Sequence, residues 1–149
     1  LKENASKSYP GNGDFTLVDG VINDKGMARS KQFLGFSGED CVAEIDLGEL
    51  QEISFIVVNC LRRESSWIWQ PLTAEAFGSG DGDKWYPLKL TDDFVENKNG
   101  AGKGYMSLSF QKTFARYVKV VISNWGDIPA GYPGAGKKAW LFVDEIEIH

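Results

Sequence analysis

Apolar and polar residues alternate with a period of two along much of this chain, the mark of extended backbone with one covered face. In residues 41–47, Cys41, Ala43, Ile45 and Leu47 fall on one side and Glu44 and Asp46 on the other. Residues 105–110 repeat the pattern, and residues 113–124 set Val118, Val120 and Ile122 on one side. The closing strand alternates from Val143: Val143, Glu145 and Glu147 share one parity, Asp144, Ile146 and Ile148 the other. Residues 52–61 are apolar at nearly every position, which predicts a central strand covered on both faces. Residues 72–77 and 85–90 flank the glycine–aspartate turn at 78–83, and residues 15–18 read as a short strand or bridge before the Asp19-Gly20 turn. No stretch carries a helical period. The expectation is all-β: a β-sandwich or jelly roll of about eight antiparallel strands.

Between the strands lie loops of unusual composition. Aromatic residues make up 13% of the chain, and five are Trp. Residues 21–40 are glycine-spaced and carry Arg29, Phe33 and Phe36; of these, Phe36 reads as core. Residues 62–71 carry Arg62, Arg63, Trp67 and Trp69; residues 125–138 carry Trp125 and Tyr132, with Trp140 just beyond. Long aromatic loops are more often functional than short ones. Residues 91–104, acidic and then rich in Asn, Lys and Gly, read as a mobile loop. The closing strand poses its own question, because Asp144 and Glu145 are adjacent carboxylates beside a tryptophan loop. Either they are solvated or one of them ligates something.

Composition narrows the classes. The 149 residues suffice for one domain with a real core. The net charge is −5 with both signs interspersed, so no basic stripe invites nucleic acid. No apolar run approaches the roughly 18 residues of a membrane span. The chain starts at Leu1 and is read as an excised piece of a longer, processed protein. Cys41 and Cys60 sit in apolar strand-like runs and read as small core residues, with a disulfide open if their strands pair. Two Cys and the single His149 make no structural zinc site. Enzyme chemistry is not expected: there is no nucleophile–histidine constellation and no phosphate-cradling loop. Asp92-Asp93 and Asp144-Glu145 are chain neighbours, not a natural acid/base pair for glycoside hydrolysis.

Six stretches then stand in a recognisable order: LVDG at 17–20, GFSGEDCVAEIDLG at 35–48, SWIWQP at 66–71, SGDGDKW at 79–85, ARYVKVVISN at 115–124 and GAGKKAWLFVDEIEI at 134–148. Together they resemble the discoidin-like, coagulation factor V/VIII type C superfamily. They are most similar to the family 32 carbohydrate-binding modules of bacterial glycoside hydrolases, such as those at the C-terminus of family 20 β-hexosaminidases. The resemblance spans nearly the whole chain and implies a galactose-binding-domain-like sandwich. It implies a non-catalytic module that targets an attached hydrolase to terminal galactose- or N-acetylhexosamine-type glycans. A structural accessory domain packed on the catalytic domain, binding no glycan, is the alternative. Partners are then glycans and the catalytic domain of the same polypeptide, with neither nucleic acid nor membrane, and a monomer is expected. The place of such a module is secreted, periplasmic or at a bacterial cell surface.

The resemblance also implies sites. Its members hold a structural calcium between the first Asp-Gly turn and the last strand. Asp19 and Glu145 stand at those places, and Asp24 could add a third carboxylate. Its sugar ligands sit on loops at one end of the sandwich, where a ring stacks on the pyranose and Arg or carboxylate groups bind hydroxyls. The matching residues here are Arg29, Phe33, Arg62, Arg63, Trp67, Trp125, Tyr132 and Trp140. The first loop lacks the His that galactose-binding members often place there, and Gly131-Tyr132 stands where related modules tend to have Trp-His.

Overall fold

The computed structural model describes residues 1–23, 31–98 and 101–149. Among these, seven strands form: β1 (Leu34–Ser37), β2 (Cys41–Leu61), β3 (Thr73–Ser79), β4 (Tyr86–Thr91), β5 (Phe94–Glu96), β6 (Lys103–Ser123) and β7 (Trp140–Ile148). Their order is β1-β7-β2-β6-β3-β4, with β5 added on β6, and every pairing is antiparallel.

Two long strands make the sandwich. Residues 41–46 of β2 pair with 117–122 of β6, and residues 55–61 pair with 103–109. Between the two registers the ladder shifts twice, at Asp46/Gln51 and Ile53/Phe55. Such irregularities bend a strand. One half of β2 and β6 joins β3 and β4; the other joins β1, β7 and β5. The inward faces close on one core, with Cys41, Ala43, Ala74, Val118 and Val120 from one layer against Ile56, Val58, Met106, Leu108 and Val143 from the other. The strand at 52–61 is central, as its composition requires, lying between β6 and β7.

Three local expectations change. Residues 15–18 form not a strand but part of a 3₁₀ turn, Asp14–Val18. The Asn12 N–H donates to Thr16 Oγ1 at 2.8 Å, and the Thr16 N–H donates to the Gly13 carbonyl. These local bonds compete with a ladder. The stretch at 91–104 contains β5, which pairs with Gly104–Met106. A side chain at Gly104 would lie 2.3 Å from the Phe94 ring and 2.4 Å from the Val95 carbonyl oxygen, so only glycine admits that pairing. Cys41 and Cys60, finally, lie towards opposite ends of β2 as free buried thiols.

The closing strand departs from strict alternation at one place. Asn59 pairs with Glu145, but Cys60 pairs with Val143, leaving Asp144 as an extra residue in β7. This bulge puts Val143 and Ile146 both into the core, three residues apart. It also turns the two carboxylates to different surroundings, and both are buried: Asp144 is 0% and Glu145 5% exposed.

Candidate functional site

Asp144 meets Lys103. The ammonium lies 2.7 Å from both carboxylate oxygens, and the Asn23 N–H donates to Oδ2 at 2.7 Å. The Lys103 ammonium also lies 4.9 Å from the centre of the Phe33 ring. Burial raises the Asp144 carboxyl above its ordinary value, against the pull of Lys103. This pair is structural: it pins the residues around Asn23 to the closing strand.

Glu145 looks the other way, towards the first turn. The Gly20 N–H donates to its Oε2 at 3.1 Å, and Asp19 Oδ1 accepts from the Val21 N–H at 2.9 Å. Burial, with the Asp19 carboxyl alongside, pushes the Glu145 carboxyl up to about 7. Two carboxylates drawn side by side, one on a loop rich in backbone carbonyls, are the chemistry a hard divalent cation takes. Asp19 and Glu145 therefore suit a calcium ion, whose charge would favour their ionised forms. Asp24 lies outside the described residues, and among those described no group of three His, Cys, Asp or Glu side chains gathers for a metal.

The second and third aromatic loops come together. Residues 67 and 69 flank Trp140: the Trp140 N–H donates to the Trp67 carbonyl, and the Trp69 N–H donates to the Trp140 carbonyl. A 3₁₀ turn, Glu64–Ser66, is closed by the Trp67 N–H on the Glu64 carbonyl, with Trp67 left-handed at φ 63°. That conformation is uncommon for a bulky residue. It lays the Trp67 ring against Gly134, where a Cβ would lie 2.4 Å from the indole nitrogen. Trp69 is buried under the third loop. Its ring centre is 5.2 Å from Trp125 and 4.8 Å from Tyr132, the latter edge-on. Ile128 and Ala139 complete the cluster. Trp67 is 38% and Tyr132 45% exposed, so these two rings face solvent.

The remaining expected residues are placed as follows. Trp125 is half-buried against Trp69. Trp140 is half-buried, stacked on Phe142 and met edge-on by Tyr9. Arg62 directs Nε and Nη2 to Glu64 Oε1 at 3.0 and 2.6 Å. Arg63 donates to the Ala101 carbonyl at 3.3 Å. Phe33 is a correction: it is 0% exposed, packed with Leu61, Ile68 and Phe142, and has no face for a sugar. Arg29 lies outside the described residues. The hub of the cluster is Trp69, which was legible only as one more aromatic in its loop; its spacing of two from Trp67 was the available signal.

A cavity of about 200 Å³ lies elsewhere, beside the Asp14–Val18 turn. Leu17, Ala43 and Ile45 line it, with Phe15 and Val18 at its rim.

No protein-family model matches the chain, and no curated protein matches it. Solved structures do. The chain is similar to CBM32-1 of a family 31 glycoside hydrolase from Clostridium perfringens, at 16% identity and a TM-score of 0.59, covering 100% of this chain and 90% of that one. It is similar to the C-terminal domain of a chitobiase from Bacteroides fragilis, at 20% identity and 0.55, covering 93% and 84%. It is also similar to CpGH89CBM32-5 from Clostridium perfringens, solved with GalNAc-β-1,3-galactose, at 19% identity and 0.50, covering 85% and 86%. The two-layer arrangement of bent strands is thus the discoidin-like β-sandwich fold of the family 32 carbohydrate-binding modules.

Proposed function

We propose that this chain is a non-catalytic carbohydrate-binding module of an exported glycoside hydrolase, directed at terminal galactose- or N-acetylhexosamine-type glycans. One observation carries the reading: two separate loops bring Trp67, Trp69, Trp125 and Tyr132 to one place, with Trp67 and Tyr132 left open to solvent. Exposed rings beside polar loop groups suit the C–H face and hydroxyls of a pyranose. Affinity at one such site is modest, and tethering a catalytic domain near its glycan supplies effective concentration. Calcium at Asp19 and Glu145 would tie the first turn to β7 and act as a structural staple. The test is a glycan array with the isolated chain, run with calcium and with chelator. Binding of galactose- or N-acetylhexosamine-terminated glycans, lost in the Trp67→Ala/Tyr132→Ala double variant, is the expected result. Binding that survives the double variant moves the site elsewhere.

A second reading has its own observation. Phe15 is 78% exposed, and Val18, Val21 and Ile22 are 40–44% exposed nearby in the chain. A contiguous apolar surface of this kind is what an accessory domain would bury against its catalytic partner. A blank array would put that reading first.

A further inference from the structure

Two buried donors in the aromatic cluster have no acceptor. Trp69 Nε1 and Trp125 Nε1 are both shut off from solvent and make no hydrogen bond among the described residues. Buried polar groups are nearly always paired, and leaving one unpaired costs free energy. Here two belong to rings whose centres are 5.2 Å apart.

The surrounding backbone is already committed. In the third loop, the carbonyls of Gly126, Ile128, Tyr132, Gly134 and Lys137 accept from Ala139, Gly136, Ala135, Lys137 and Ile128. The nearby charges are paired as well, Lys138 with Asp127 at 2.9 Å and Arg62 with Glu64 at 2.6 Å. The cluster thus offers neutral N–H donors among apolar walls, Ile128 and Ala139 included.

That combination selects a functional group. A carboxylate would be desolvated with no cation to meet it. A hydroxyl brings a proton of its own that needs an acceptor. An acetamido group brings a carbonyl oxygen that only accepts and a methyl that prefers apolar surroundings. On the reading that these loops bind glycan, we infer that Trp69 and Trp125 form a socket for the acetamido group of an N-acetylhexosamine. Tyr132, edge-on to Trp69 and 45% exposed, covers the socket and moves onto the sugar ring as the ligand seats. Selectivity for the N-acetyl substituent resides in these two indoles rather than in Trp67.

The test uses the ¹H–¹⁵N indole signals of the five Trp, assigned with Trp69→Phe and Trp125→Phe. The whole chain is titrated with N-acetylgalactosamine, N-acetylglucosamine, galactose and galactosamine. Both N-acetyl sugars are expected to move the Trp69 and Trp125 indole protons downfield, as a newly made hydrogen bond does; the other two are expected to leave them in place. Trp125→Phe should lose about fivefold in preference for N-acetylgalactosamine over galactose, the value of one net hydrogen bond. If N-acetyl sugars shift other signals while these two indoles stay, the socket is refuted and the glycan-binding reading stands. Unchanged selectivity in Trp125→Phe refutes it equally. If none of the four sugars moves any signal, both readings fall.

Discussion

Replacing Lys103 by Met tests the most deeply buried interaction in the molecule. The Lys103 and Asp144 side chains are 2% and 0% exposed, with the ammonium 2.7 Å from Asp144 Oδ2. At an effective dielectric near 20, opposite charges at that distance attract by about 6 kcal/mol. Desolvation of both ions offsets much of this, so the net worth of the pair is small. Removing one partner is different, because Asp144 would stay buried with the Asn23 N–H as its main donor. Breaking a buried pair in this way costs about 3–5 kcal/mol. A domain of this size has a total stability of about 5–15 kcal/mol. With a urea m-value of about 2 kcal/mol/M, the midpoint should fall by about 2 M. Tryptophan fluorescence during urea unfolding reads it directly. The double variant Lys103→Met/Asp144→Asn removes both charges while keeping an acceptor for Asn23. It should recover at least about 2 kcal/mol relative to the sum of the single changes. A Lys103→Met midpoint within about 0.3 M of wild type would refute the reasoning, since it would mean that Asp144 is solvated or neutral without its lysine.

Other outcomes follow from the same geometry. Gly104→Ala should destabilise by about 2 kcal/mol or more and free β5, because the new Cβ meets the Phe94 ring and the Val95 carbonyl; faster amide exchange at residues 94–96 is the readout. Burial pushes the Cys41 thiol up to about 12 and raises Cys60 further, so at pH 8 both are unionised and enclosed. A thiol reagent such as Ellman's should therefore label neither in the native protein and both in urea. Calcium at a concentration well above its dissociation constant should raise the melting temperature by several degrees, and Glu145→Gln should abolish that response; an equal response in the variant would remove Glu145 from the site.

The two-layer sandwich was legible because its signals are local. A period of two at 41–47, 105–110 and 113–124 can be satisfied only by strands with one covered face, and the structure covers that face. The apolar run at 52–61 required neighbours on both sides and received β6 and β7. Phe36 reads as core and is core. The aromatic loops were visible by composition, since nothing in a strand pattern accounts for five tryptophans clustered near arginine and glycine.

What remained hidden depends on contacts across the chain. Lys103 shares parity with Tyr105 and Ser107, an outward register, yet is buried because Asp144 and the Phe33 ring lie against it. Phe33 is buried for the reciprocal reason. The bulge at Asp144 cannot be read from β7 alone, because it exists only in the mismatch of two registers on β2. Whether an aromatic in a loop is platform or filler is likewise settled by what the partner loop covers: Tyr132 and Trp67 stay open while Trp69 closes beneath them. The sequence by itself determined strand periodicity and loop composition, which are properties of neighbouring residues. The tertiary structure decided which carboxylate meets an ammonium, which meets a second carboxylate and which rings face water, because burial and register are relations between residues as much as 125 positions apart.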